Sequence, residues 1–89
     1  MNIFYVYILE TASKSGKKTF YTGYTKNLLK RTEEHKTGKG AKYCKGKKVE
    51  LKYFETYLTR KDAMNRELEI KSFSHEEKSE LIKKFSESE

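Results

Sequence analysis

The sequence predicts an α+β fold: a small three-stranded, mainly antiparallel sheet flanked by helices, in the order β-β-α-β-α-α. Three observations carry this expectation. Runs rich in β-branched and aromatic residues occupy residues 3–9, 18–24 and 50–57. Stretches of good helix formers with apolar residues at helical spacing fill residues 25–36, 59–71 and 74–85. A chain of 89 residues supports one modest core, so residues 1–89 are expected to form a single domain.

The first run, Ile3-Phe4-Tyr5-Val6-Tyr7-Ile8-Leu9, is apolar on both faces, as a strand covered on both sides must be. Phe4, Val6 and Ile8 take one face; Tyr5, Tyr7 and Leu9 take the other. Ser15-Gly16 then marks a turn, which makes the first two strands a hairpin with a longer loop. In the second strand Thr19, Tyr21 and Gly23 share a face. Gly23 brings no side chain to that face, which points to a bulge or a close approach.

Thr25 and Asn27 are both suitable N-caps for a helix running to about Lys36. Leu28, Arg31, Thr32 and His35 share one side of it, so Arg31 and His35 can reach the same spot. From His35 to Val49 come six lysines and no acid, broken by Gly38, Gly40 and Gly46. This segment is expected to be a mobile basic loop. It is not a phosphate loop of the P-loop type, because the spacing from Gly40 to Gly46 is wrong. Lys48 also stands where a hydroxyl should meet magnesium. Glu50–Tyr57 forms the third strand.

In the helix over 59–71, Ala63, Glu67 and Ile70 fall on one line, with Met64 and Leu68 beside it. Asp62, Asn65, Arg66 and Glu69 point the other way. Glu67 therefore sits in the apolar stripe, where a carboxylate is costly unless a cation or donors meet it. A partly buried ion pair with Arg31 or Lys71 is one answer. Ser74-His75-Glu76-Glu77 opens the last helix with a capping box, and Leu81, Ile82 and Phe85 pack it down.

Charge narrows the partners. Residues 1–57 carry thirteen Lys/Arg against five acids, whereas residues 58–89 carry seven against eight. A basic front on a near-neutral back suits a polyanion-binding face better than general solubility. No apolar run approaches membrane-spanning length and the N-terminus has no signal-like pattern, so a cytoplasmic location without a membrane partner is expected. The single cysteine, Cys44, cannot form an internal disulfide and receives no role.

The residues whose types exceed structural need are Tyr7, Tyr21, Gly23, Arg31, His35 and Glu67. With them in this order, the sequence resembles the GIY-YIG nuclease superfamily, particularly its small single-domain bacterial members of the UPF0213 kind. The first signature stands as Tyr5-Val6-Tyr7 and the second as Tyr21-Thr22-Gly23. Arg31 lies ten residues beyond Tyr21, and Glu67 stands on the later helix where the family places its metal-binding acid. Gly38-Lys39-Gly40-Ala41-Lys42 also looks like the small members. The chain departs from the pattern at Tyr5 and Thr22, and at Tyr24, where repair-type members carry lysine.

The resemblance implies metal-dependent cleavage of phosphodiester bonds in DNA, ahead of RNA, in nucleic-acid repair or processing. Glu67 would hold one Mg²⁺ or Mn²⁺ ion, and Arg31 would clamp phosphate oxygens. Tyr7 and Tyr21, with His35 in contention, would position or deprotonate the attacking water, Tyr21 first. Lys26, Arg31, Lys36, Lys39, Lys42, Tyr43, Lys45, Lys47 and Lys48 form the expected nucleic-acid contact, on a chain taken as a monomer by default. The competing expectation is a non-catalytic, basic nucleic-acid-binding module on a nuclease fold. Strand aromatics at Tyr7 and Tyr21 and a helix-surface residue at His35 are the structural alternatives.

Overall fold

The computed structural model describes residues 2–37 and 46–88. Its elements are β1 (Phe4–Ala12), β2 (Lys18–Thr25), α1 (Leu28–Lys36), β3 (Lys48–Tyr57), α2 (Arg60–Lys71) and α3 (His75–Glu87). The expected order and fold class are therefore present. Two strands are longer than the sequence suggests: β1 runs on through Glu10, Thr11 and Ala12, and β3 begins at Lys48. Lys48 and Val49 thus belong to the sheet and not to the basic segment. Lys39, Lys42, Tyr43 and Lys45 lie outside the described residues.

β1 is the central strand, antiparallel to β2 on one side and to β3 on the other. The β1–β2 turn closes with Gly16 at φ +87°, a conformation that favours glycine, and with Ser13 accepting from the Gly16 N–H at 2.9 Å. A bulge between Ile8 and Leu9 in the β1–β3 pairing makes Lys52 the extra residue: Ile8 faces Tyr53, and Leu9 faces Leu51. Strict alternation from Tyr53 would have sent Leu51 to the other side. The bulge re-phases β3, so that Val49 and Leu51 join Tyr7 and Leu9 beneath α1.

Each face of the sheet thus has its own core. One holds Phe4, Val6, Ile8 and Tyr53 against Ala63 and Ile70 of α2, with Leu81, Ile82 and Phe85 of α3 packed on. The other holds Tyr7, Leu9 and Val49, with Tyr21, Leu28, Leu51 and Phe54 around them. Asn27 caps α1, its side chain accepting from the Lys30 N–H at 3.1 Å, while Thr25 accepts from the Asn27 N–H. α3 opens on the expected capping box, Ser74 and Glu77 each bonding the other's backbone N–H. His75 stacks on Phe20 with ring centroids 4.5 Å apart.

α2 departs most from its expected faces. Ala63 and Ile70 are buried as the stripe requires, but Met64 and Leu68 are exposed, Leu68 by 62%. Arg66, expected to point away, reaches in to β3. Its Nε donates to Glu55 at 2.9 Å and its terminal nitrogen donates to the second oxygen at 2.9 Å. The hydroxyls of Tyr53 and Tyr57 donate to the same carboxylate, and Glu69 accepts from Arg66 at 2.5 Å. Twelve residues with one narrow apolar line cannot hold a helix by burial alone. The two-pronged ion pair fixes its rotation.

Candidate functional site

Tyr7 and Gly23 sit directly opposite each other on β1 and β2. A Cβ on Gly23 would lie 2.5 Å from the Tyr7 hydroxyl oxygen and 2.8 Å from Cζ. The glycine is thus a close approach and not a bulge: the Tyr7 ring lies across it, in space any other residue would fill. From there the Tyr7 hydroxyl shares a 3.0 Å hydrogen bond with His35 Nε2. Tyr7 is 2% exposed and His35 1% exposed.

His35 is held on α1 by the helix phase that also buries Thr32, whose hydroxyl donates to the Leu28 carbonyl at 2.8 Å. Burial lowers the imidazole pKa below its usual 6.5, and the Arg31 guanidinium lowers it further, against a smaller opposing effect of Glu34. The ring is neutral at pH 7. The Tyr21 ring lies alongside, its centroid 5.2 Å from that of His35, and Tyr21 is half-buried. The structure therefore brings together Tyr7, Tyr21, Gly23 and His35. Tyr7, Gly23 and His35 are buried, and Tyr21 is half-buried beside them.

Arg31 lies one turn before His35, exposed, with Nε 3.5 Å from Glu34. It belongs to a concavity of about 510 Å³ at the starts of α1 and α2. Glu67 stands elsewhere. Its helix packs on the opposite face of the sheet from Tyr7 and His35, and its ion-pair partner is Lys71, at 3.5 Å. Among the described residues no hydrogen bond or ion pair joins Glu67 to the tyrosine and histidine cluster.

The two carboxylates on this layer differ sharply. Burial alone would raise the pKa of Glu55, but the bonds from Arg66, Tyr53 and Tyr57 outweigh it and hold the group below the usual range. Tyr53 and Tyr57, pushed up to about 12 by burial and by that carboxylate, stay protonated. Glu55 is saturated. Glu67, with a side chain only 14% exposed, meets one half-exposed ammonium, that of Lys71, at 3.5 Å. It is the acid with coordination to spare.

Of the expected basic contacts, Lys26 lies in the concavity beside Arg31, its Nζ 5.5 Å from the Phe4 ring centre. Lys36, Lys47 and Lys48 line a second depression, of about 650 Å³, where β1 ends and β3 begins. The sequence reading missed Lys30 and Arg60, which line the first concavity, and the whole Glu55 network. A signal for the latter was present. Tyr53, Glu55 and Tyr57 alternate along β3 and must share a face, so an acid flanked by two aromatic donors faces whatever packs there.

The sequence profile of the GIY-YIG catalytic domain matches residues 3–80. A UPF0213 protein of Haloquadratum walsbyi is 46% identical over 78 residues, covering 86% of this chain and 83% of the relative. One from Staphylococcus epidermidis is 42% identical over 83 residues, covering 92% and 96%. The solution NMR structure of a UPF0213 protein from Bacillus halodurans superposes with a TM-score of 0.54 at 38% identity, covering 91% of this chain and 83% of that one. The relatives thus include archaeal as well as bacterial proteins. With the profile spanning nearly its whole length and the signature residues folded onto adjoining strands, this chain belongs to the GIY-YIG nuclease family, in its UPF0213 branch.

Proposed function

We propose that this protein is a divalent-metal-dependent endonuclease acting on DNA, or on RNA, in nucleic-acid repair or processing. The observation that carries the proposal is the contrast between the two acids: Glu55 has all its oxygens engaged, and the nearly buried Glu67 has one loose lysine. Nucleases of this family generally use divalent metals. The residues fit such an ion. No group of three or more candidate ligands occurs among the described residues, so one carboxylate would hold it and water and phosphate would complete its shell. That donor set suits Mg²⁺ or Mn²⁺. The ion would stabilise charge on the phosphate and on the leaving oxygen.

The chain's own groups divide the remaining work. Arg31, exposed and loosely paired with Glu34, exchanges that carboxylate for phosphate oxygens. Tyr21, half-buried on the edge strand β2, would orient the attacking water, with the ion on Glu67 meeting the same phosphate around that edge from the other face of the sheet. His35, neutral and almost fully buried, supports Tyr21 from behind and does not itself meet the water. Tyr7 fixes the imidazole through its 3.0 Å bond, and Gly23 leaves room for it to do so. Tyr7 and His35 are thus positioning residues on this reading.

One observation favours the non-catalytic alternative: Lys71 partly neutralises Glu67 without any metal. The deciding experiment incubates purified protein with single-stranded, duplex and branched DNA and RNA in Mg²⁺, Mn²⁺ or EDTA. Cleavage that EDTA abolishes is the expected outcome; tight binding with no cleavage in any metal supports the alternative.

A further inference from the structure

The concavity at the starts of α1 and α2 has a composition that the nuclease signature does not explain. Lys26, Lys30, Arg31 and Arg60 line it, together with Tyr24 and one opposing acid, Glu34. Glu34 is engaged by Arg31 at 3.5 Å. Neither Lys30 nor Arg60 has an ion-pair partner among the described residues, although the chain carries acids at Asp62 and Glu33 nearby in sequence. Cations from two separate helices and the loop between β2 and α1 converge on one hollow that holds a single carboxylate, Glu34. Such convergence costs electrostatic energy in the free protein and is relieved when an anion enters.

A single anion does not account for the distribution. α1 also contributes Lys36 to the second depression, which Lys18, Lys47 and Lys48 share with Glu10 and Glu50. The first concavity lies at the Phe4 end of β1 and the second at its Ala12 end. Eight residues of extended strand separate those ends by about 26 Å, roughly the length of eight base pairs along a duplex. Two basic hollows bridged by one helix fit a linear polyanion better than a lone phosphate.

We infer that the α1–α2 concavity is a backbone-binding groove for nucleic acid, with Lys30 and Arg60 as phosphate contacts, and that the strand runs from it along α1 to the second depression, where Lys36 and Lys48 lie. The inference rests on the proposed nucleic-acid function and gives it a path and two unassigned residues. Glu34 acts in the groove as an intramolecular stand-in for phosphate, occupying Arg31 until a strand displaces it.

The test is fluorescence anisotropy of a labelled duplex of about 20 base pairs in EDTA across a salt series, paired with a cleavage assay in Mg²⁺ or Mn²⁺. Removing two phosphate contacts in the Lys30→Gln/Arg60→Gln double variant reduces the magnitude of the slope of log K against log salt by about 1.8. Glu34→Gln tightens binding several-fold, because Arg31 is released. Lys83→Gln/Lys84→Gln on α3, equal in charge change, leaves the slope nearly unaltered. An unchanged slope in the groove variant, or an equal change in the α3 variant, overturns the groove even if the wild type cleaves. Binding with the expected slopes but no cleavage leaves the groove standing and overturns the nuclease reading. Absence of binding to DNA and RNA at low salt overturns both.

Discussion

The two faces of the sheet solve the problem of buried polar groups in opposite ways. Beneath α1 the solution is neutral: an imidazole stripped of its charge by burial meets a phenol, and a glycine clears the space between strands. Beneath α2 the solution is ionic: a guanidinium grips a carboxylate with two prongs while two tyrosine hydroxyls complete it. The neutral pair depends on shape and the ionic cluster on charge. A further lesson comes from comparing acids on the ionic side. The bonds from Arg66 to Glu55 tie α2 to β3, while Glu67 on the same helix keeps Lys71 as its ion-pair partner.

The sharpest way to break the comparison is to remove the clamp. Arg66→Met leaves a partly buried carboxylate with only hydroxyl donors, at an expected cost of about 3 kcal/mol. For a domain of this size that lowers Tm by roughly 15 °C, measurable by calorimetry or circular dichroism. Adding Glu55→Gln removes the orphaned charge and is expected to recover at least half of the loss. If Arg66→Met costs no more than the removal of an exposed pair such as Lys52–Glu50, the clamp is only a surface contact.

A smaller effect probes the shape-dependent side. Gly23→Ala places a methyl group 2.5 Å from the Tyr7 hydroxyl oxygen, so the ring must leave its seat over the glycine. Overpacking of this kind costs about 1–3 kcal/mol. Tyr7→Phe in the same chain does not restore stability, since Cζ remains 2.8 Å from the new methyl group. Full rescue by Tyr7→Phe would show that the hydroxyl alone, not the ring, demands the glycine.

The smallest effect separates the faces by pH. His35 binds a proton more readily unfolded than folded, so its contribution is complete above about pH 6.5 and declines as pH falls toward the lowered folded value. Glu55, lowered in the fold, contributes above about 4.5 and loses that stability as pH falls further. Acid unfolding should therefore show a shallow upper slope, below the one-proton limit of ~1.4 kcal/mol per pH unit, followed by a lower one. His35→Gln removes the upper slope and keeps the lower. Persistence of the upper slope in that variant would assign it to another group.

Local chemistry made much of this legible in sequence. The strands announced themselves through β-branched and aromatic residues, and Ser74 with Glu77 named the start of α3. Gly23 could be flagged as a bulge or a close approach because its strand gains no packing there, and the structure selects the close approach. What stayed hidden depended on register between elements. The Lys52 bulge, which decides where Leu51 points, leaves no mark in composition. Arg66 and Leu68 exchanged their expected places because the helical wheel assigns faces by apolarity, whereas α2 turns its arginine inward to meet Glu55. Lys30 and Arg60 are thirty residues apart, and only the fold makes them neighbours of one hollow.

The account turns on Glu67, and one comparison tests it most directly. Wild type and Glu67→Gln, purified in parallel, are assayed side by side for cleavage of duplex and branched DNA in Mg²⁺ and Mn²⁺, with folding checked by circular dichroism and binding by anisotropy. Glutamine keeps the shape and removes the charge that would hold the ion. The account predicts metal-dependent cleavage by the wild type, loss of at least 100-fold in the variant, on the order expected when an electrostatic catalytic group is removed, and retained or tighter DNA binding because a carboxylate no longer opposes the phosphates. A well-folded Glu67→Gln protein that cleaves as fast as wild type would contradict it.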